Sequence, residues 1–71
     1  MNAAPPFDAR SVRALLAAER ITRLEYARAC HLHRTNVSSY LSENLRPGAR
    51  TRQKLYEGLV QLGLDCEALH A

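Results

Sequence analysis

Hydroxyl, amide and guanidinium groups cluster in one short stretch of the chain, and groups of these types can hydrogen-bond to the edges of nucleic-acid bases. The stretch contains Arg34, Thr35, Asn36, Ser38 and Ser39. An arginine can donate two hydrogen bonds to O6 and N7 of guanine, and an asparagine can pair with adenine. Hydroxyl groups discriminate between bases poorly on their own. These five residues form the predicted base-reading set, in which we expect Arg34 to contribute most to sequence preference.

The base-reading set lies on the second of two short helices that the sequence predicts within residues 22–42. Apolar residues recur there at spacings that can close a small helix pair: Leu24, Ala27, Cys30, Leu32, Val37, Tyr40 and Leu41. At ~100° per residue, Thr35, Ser39 and Ser42 then face away from this core, with Asn36 and Ser38 at the flanks. An ordinary solvated helix face is the alternative. Hydroxyl and amide residues are mediocre helix formers, so their clustering favours a functional surface.

The first helix of the predicted pair has a well-marked start. Thr22, followed three residues later by Glu25, forms a capping box. Arg23 then places a cation in the first turn, where the helix dipole favours acidic residues. A bound phosphate would explain this cation, since a helix N-terminus already offers amides to an anion. Thr22 and Arg23 are therefore predicted phosphate contacts, with a solvated surface arginine as the alternative for Arg23.

The chain is basic, and its positive charge lies in the part that contains the helix pair. Nine of the ten basic residues are arginine, and the net charge is +3. Residues 1–52 contain nine arginines and four acidic residues, which gives +5, whereas residues 53–71 contain one lysine and three acidic residues, which gives −2. Arginine is suited to bidentate contacts with phosphate and guanine. This distribution favours a nucleic-acid partner for the basic part.

Three further cations follow the second helix within seven residues. Arg46 lies within a predicted loop at residues 43–48, and Arg50 and Arg52 lie just after this loop. Together with Arg23 they would flank the base-reading helix and hold it against a phosphate backbone. A solvated charged face is again the alternative. The position of the three arginines next to the helix pair favours phosphate contacts.

Two further helices complete a predicted all-α fold of four to five helices. Asp8 is the expected N-cap of the first helix, which buries a stripe that includes Val12 and Leu16. The last long helix is predicted from Ala49 to Leu62, and Gly63 is expected to stop it. These helices form the scaffold for the central pair.

The carboxyl-terminal part is acidic and rich in leucine, with one more short helical turn predicted after Asp65. Its apolar stripe is wider than a 71-residue core obviously needs, which predicts a contact between two copies of the chain. The predicted contact residues are Tyr56, Leu59, Leu64 and Leu69. Gly58 would allow a helix of the second copy to approach closely. Packing of the stripe onto the first helix is the alternative.

A chain of 71 residues indicates one domain, with residues 1–6 as a flexible arm and residues 7–71 as the folded part. We expect no ligand-sensing domain and hence no small-molecule effector. Cys30 and Cys66 both occupy apolar-periodic positions, which favours buried thiols in a reducing compartment. Residues 1–6 lack the basic start and apolar run of a signal peptide, so none is expected, and the sequence contains no run of ~20 apolar residues such as a membrane span requires. A cytoplasmic location without membrane contact is therefore expected.

Chemistry other than binding finds little support in the sequence. Cys30, His31, His33, Cys66 and His70 lack the paired spacing of a zinc site. The chain also lacks a glycine-rich phosphate loop, a nucleophile elbow and paired carboxylates. We expect no enzyme activity, no metal and no cofactor.

The helix pair resembles the helix-turn-helix of the lambda-repressor and Cro-like DNA-binding family. The matching residues are Ala27, His31, Leu32, Val37, Ser38 and Tyr40, and the likeness extends over roughly residues 12–62. It implies that the second helix enters the major groove and that Arg34, Thr35, Ser38 and Ser39 contact bases, with Arg23 at the backbone. The family usually has glycine where this chain has His31, at a position that tends to a left-handed backbone. Histidine is among the less disfavoured replacements there.

The resemblance also implies a biological role. Small members of the family without a sensor domain act as repressors that phages and other mobile elements encode. These repressors bind a palindromic operator in double-stranded DNA as homodimers. Transcriptional activation is an alternative, since a promoter-bound domain can contact polymerase. A protein-interaction module that retains the fold without DNA binding, such as an antitoxin, is the alternative from a different class.

Overall fold

The computed structural model describes residues 7–64, and this part of the chain folds into four α-helices without a strand. The helices are α1 (Ala9–Ala18), α2 (Arg23–Cys30), α3 (Arg34–Leu41) and α4 (Ala49–Gln61). The predicted all-α fold is confirmed for these residues. The predicted arm at residues 1–6 and the predicted turn after Asp65, with Leu69, lie outside the described residues. Among residues 7–64, no helix combines the length and the hydrophobicity that crossing a membrane demands.

Local capping interactions fix the starts of α1 and α2 as the sequence predicts. The Asp8 carboxylate accepts from the Ser11 amide, 3.2 Å away, and from the Ser11 hydroxyl. At the start of α2, the Glu25 amide donates to the Thr22 hydroxyl oxygen over 3.1 Å, and the Thr22 amide donates to the Glu25 carboxylate over 2.9 Å. The capping box satisfies two backbone amides that the helix leaves free.

The ends of α2 and α4 also follow from local backbone chemistry. His31 closes α2 in the left-handed region, at φ 58° and ψ 39°, so the predicted conformation at this position is confirmed. The turn is held by a hydrogen bond from the Leu32 amide to the Ala27 carbonyl, 3.0 Å long. Gly63, at φ 77°, follows the last turn of α4 as expected of a helix stop.

The hydrophobic core lies where α2 packs against α4, with α1 and α3 closing it. The hydroxyl of Tyr26 donates to the backbone carbonyl of Leu55 inside this core, over 2.7 Å. Cys30 is buried against Gly58, where an added Cβ would overlap Sγ and lie 3.2 Å from the Cys30 amide nitrogen. Burial raises the pKa of the Cys30 thiol to about 11. Gly58 therefore brings α2 and α4 of the same chain together, rather than a helix of a second copy.

The predicted dimer contact through Tyr56 and Leu59 is wrong, because both side chains are used in the core of their own chain. Leu59 is fully buried and Tyr56 is 9% exposed, with its ring edge-on to Phe7 at a centroid distance of 6.1 Å. The stripe on α4 looked too wide because Phe7, which precedes α1, covers part of it. Leu64 packs partly against the same core. On α4 the exposed large apolar residue is Val60.

Candidate nucleic-acid interface

The N-terminal half of α3 carries three of the five predicted base-reading residues on its exposed side. Arg34 is the first residue of the helix, and Arg34, Thr35 and Asn36 are all exposed. The start of the helix is fixed by His33, whose Nδ1 accepts from the Thr35 amide at 3.2 Å. The sequence analysis missed this cap, because histidine is not among the usual N-cap residues. Val37 and Leu41 bury the opposite side of α3.

The two serines of the base-reading set are less exposed than the helical geometry predicts. Ser38 is half-buried, and its hydroxyl accepts from Nη1 of Arg23 at 2.7 Å. Ser39 is also half-buried, because the loop after α3 folds back and its Asn44 and Leu45 amides donate to the Ser39 carbonyl. The expectation that Ser39 faces directly outward is therefore too strong. Ser38 keeps a hydroxyl proton for a second partner.

The structure brings the predicted phosphate contacts at α2 next to the predicted base contacts at α3. One open cleft between the N-terminal ends of the two helices collects them, and its lining consists of Thr22, Arg23, Leu24, Arg34, Thr35 and Ser38. We call this the α2–α3 cleft. Arg23 bridges the two helices through Ser38, so its guanidinium is held at the surface rather than extended freely into solvent. Two cationic side chains and three hydroxyl-bearing residues thus converge on one open surface.

Leu24 does not belong to the core, contrary to the sequence prediction. The buried residues of α2 are Tyr26, Ala27 and Cys30, and at ~100° per residue Leu24 lies about 110° away from the centre of that face. Its side chain is 40% exposed and lines the α2–α3 cleft. The apolar spacing was misread because α2 has only eight residues, too few for one leucine to define a face.

The three arginines after α3 do not play the same part. Arg46 and Arg50 are exposed, as a phosphate contact requires. Arg52 is half-buried, and its Nη1 donates to the Pro47 carbonyl at 3.1 Å. This bond fixes the loop before α4 and gives Arg52 a structural role. Its phosphate contact stays a prediction. Arg46 and Arg52 share a second cleft with Tyr40, at the C-terminal end of α3.

Arg13 is a positioning residue that the sequence analysis missed. Its Nη1 donates to the carbonyl of Leu41, the last residue of α3. Glu43 is 3.9 Å from the same guanidinium. The bond satisfies a helix-end carbonyl and ties α3 to α1. No spacing rule reveals it, since the two residues are 28 positions apart.

Ionisation around the site is shaped by local hydrogen bonds. The pKa of Glu25 lies below its ordinary value, because the carboxylate accepts hydrogen bonds from Thr22, first of all from the Thr22 backbone amide. Glu25 is thus an anion committed to the capping box at neutral pH. Within residues 7–64, no group of three histidine, cysteine, aspartate or glutamate side chains is placed to hold a metal ion. Cys66 and His70 of the considered metal set lie outside that range.

Comparison with known proteins gives no match: no protein-family model fits the sequence, and no curated protein or solved structure is significantly similar to it.

Proposed function

We propose that this protein binds double-stranded DNA through α3, as a helix-turn-helix of the lambda-repressor and Cro-like type. The observation that carries the proposal is the α2–α3 cleft, where exposed Arg34 and Thr35 adjoin Thr22 and Arg23 on one open surface. Base-edge donors and phosphate donors lie side by side there, as a protein that holds DNA by its backbone and reads its bases requires.

The dimensions of α3 suit the major groove. An α-helix with its side chains is about 10–12 Å across, and the major groove of B-DNA is about 12 Å wide. Arg34 at the first position would reach furthest and fork onto O6 and N7 of a guanine. Thr35 and Asn36 follow on the same exposed end, with Asn36 able to pair with adenine if the helix rolls toward it.

Thr22 and Arg23 would contact phosphates beside the groove. The Thr22 amide already donates to Glu25, and its oxygen accepts from the Glu25 amide, so Thr22 would reach a phosphate through its hydroxyl proton. The bond to Ser38 uses Nη1 of Arg23, and the other guanidinium N–H groups can donate to an anion. Exposed Arg46 and Arg50 would add contacts on the other side of α3.

The charge of the described part supports a polyanionic partner. Residues 7–64 contain ten basic and five acidic residues, a net charge of +5. Each phosphate that these cations neutralise would add about 0.9 to the salt slope of binding. The four arginines at positions 23, 34, 46 and 50 would together make binding fall steeply as salt rises.

The proposal extends to a homodimer on a palindromic operator that represses a promoter, and this part rests on the resemblance of residues 12–62. Of the predicted dimer contacts, Leu64 and Leu69 remain, because Tyr56 and Leu59 are buried within one chain. Transcriptional activation follows from the same DNA contact if the bound protein touches polymerase. An antitoxin-like interaction module remains the competing function, and it requires no DNA contact at α3.

Selection of bound sequences from a pool of random duplexes tests the proposal. We expect a two-fold symmetric motif, because operator symmetry mirrors the symmetry of a protein dimer. Arg34→Ala should weaken binding to the selected duplex by about 1–3 kcal/mol more than binding to random DNA. Arg50→Ala, the matched control, should weaken both alike and lower the salt slope by about 1. Failure to enrich any motif, with no salt-dependent binding, contradicts the proposal and favours the interaction module.

A further inference from the structure

Leu24 is an exposed apolar side chain among polar and cationic residues. It is 40% exposed and lines the α2–α3 cleft, whose other lining residues are Thr22, Arg23, Arg34, Thr35 and Ser38. Leu24 is not on the face of α2 that packs into the core, which consists of Tyr26, Ala27 and Cys30. The capping box at Thr22 and Glu25 fixes the first turn of α2, and this turn holds Leu24 on the cleft side.

The partner of Leu24 must tolerate both an apolar contact and neighbouring guanidinium groups. An apolar protein surface seated on Leu24 would also cover Arg23 and Arg34, and desolvating unpaired charges is costly. The major groove of DNA meets both requirements, since its walls are phosphates and its floor carries the apolar C5-methyl group of thymine. Resting on the proposed function, we propose that Leu24 contacts the C5-methyl group of a thymine next to the base pair read by Arg34.

This contact makes Leu24 a specificity-determining residue with a defined chemical signature. Uracil has the hydrogen-bonding groups of thymine and lacks only the methyl group. Replacing the contacted thymine with deoxyuridine removes the apolar partner and leaves base pairing intact. Burial of one methyl group contributes about 0.8 kcal/mol, so the substitution should weaken binding about fourfold at that one position.

The experiment uses the full chain and a duplex selected from random sequences. Each thymine of the duplex is replaced singly by deoxyuridine, and the affinity of wild-type protein, Leu24→Ala and Leu24→Met is measured for each duplex. Leu24 is exposed, so these substitutions leave the core intact; Val60→Ala, on the exposed side of α4, is the matched control. Circular dichroism and thermal melting check the fold of each variant.

We expect deoxyuridine at one thymine to weaken binding of wild-type protein, Leu24→Met and Val60→Ala about fourfold. This thymine should lie beside the guanine that Arg34 reads, which is identified as the base whose replacement does not weaken binding of Arg34→Ala. Leu24→Ala should bind the duplex with thymine and the duplex with deoxyuridine at that position equally well. If the selected duplex binds but Leu24→Ala stays as sensitive to deoxyuridine as wild-type protein, or no thymine is sensitive, the inference about Leu24 is wrong while the proposed function stands. If wild-type protein binds no duplex, both are overturned.

Discussion

Nη1 of Arg23 lies 2.7 Å from the hydroxyl oxygen of Ser38, and this hydrogen bond joins the first turn of α2 to the middle of α3. The two residues were predicted separately, Arg23 as a phosphate contact and Ser38 as a base contact. Their bond makes them one unit. A guanidinium that is already oriented loses less side-chain freedom when it meets a phosphate, so Ser38 would help DNA binding by positioning Arg23.

A double-mutant cycle on DNA affinity measures this coupling. Ser38→Ala should weaken binding of wild-type protein about fivefold, and it should have a clearly smaller effect when Arg23 is already alanine. The expected coupling free energy is about 0.5–1 kcal/mol. The control cycle combines Asn36→Ala with Arg23→Ala, because Asn36 makes no hydrogen bond to Arg23. The effects of these two substitutions on DNA affinity should add. Additive effects of Arg23→Ala and Ser38→Ala would contradict the positioning role.

Arg50 and Arg52 should separate DNA binding from stability, although they are two residues apart. Arg52→Ala removes the bond to the Pro47 carbonyl, so it should lower the free energy of unfolding by about 1 kcal/mol. Arg50→Ala should leave stability unchanged and reduce the salt slope of binding. Urea unfolding and binding titrations at several salt concentrations check both variants. An Arg52→Ala variant of unchanged stability with a reduced salt slope would instead show that Arg52 contacts a phosphate.

Gly58 should be intolerant of even a methyl group. Alanine in a helix interior is normally favoured over glycine by about 1 kcal/mol, but at position 58 its Cβ would overlap Cys30 Sγ. Overpacking should outweigh that gain, and we expect Gly58→Ala to lower the free energy of unfolding by about 1–3 kcal/mol. Adding Cys30→Ala should recover most of the loss. Gly48→Ser is the control, since a Cβ there meets nothing within 4 Å, and urea unfolding should show that it is tolerated.

The capping box should make stability sensitive to acid. The pKa of Glu25 is lowered in the folded chain by hydrogen bonds from Thr22, so the carboxylate contributes stability above its ordinary pKa of 4.5. That contribution is lost as the pH falls through the lowered folded value. Glutamine keeps the capping box without a titrating group. Glu25→Gln should therefore lose less stability than wild-type protein between pH 6 and pH 3 in urea unfolding; identical losses would contradict the assignment.

The sequence predicted the elements whose signals are local and missed the contacts that join distant residues. The caps at Asp8 and Thr22 and the left-handed turn at His31 follow from neighbouring residues, and the structure confirms them. The bond from Arg13 to Leu41 and the covering of Tyr56 by Phe7 join residues far apart in the chain. Helical periodicity does not reveal such partners, so the sequence analysis gave Arg13 no role and placed Tyr56 at a dimer contact.

In the candidate site, too, the features with local signals were predictable and those that depend on tertiary packing were not. The exposed positions of Arg34, Thr35 and Asn36 were predictable from the helical period and the buried side of α3. The exposure of Leu24 was not, since on an eight-residue helix a single apolar residue fits the core pattern by chance. The convergence of α2 and α3 on one cleft depends on the packing of α2 against both α3 and α4 and of α3 against α1.

Amide chemical shifts of the isotope-labelled protein, titrated with its selected duplex, test most directly whether α3 and the start of α2 form the DNA surface. The account predicts that the largest changes fall within residues 22–24 and 34–39, with smaller ones at Arg46 and Arg50, and that Gln53 to Gln61 on α4 stay nearly unchanged. Changes concentrated on the outer side of α4 around Val60, or none anywhere at saturating duplex and low salt, would contradict it.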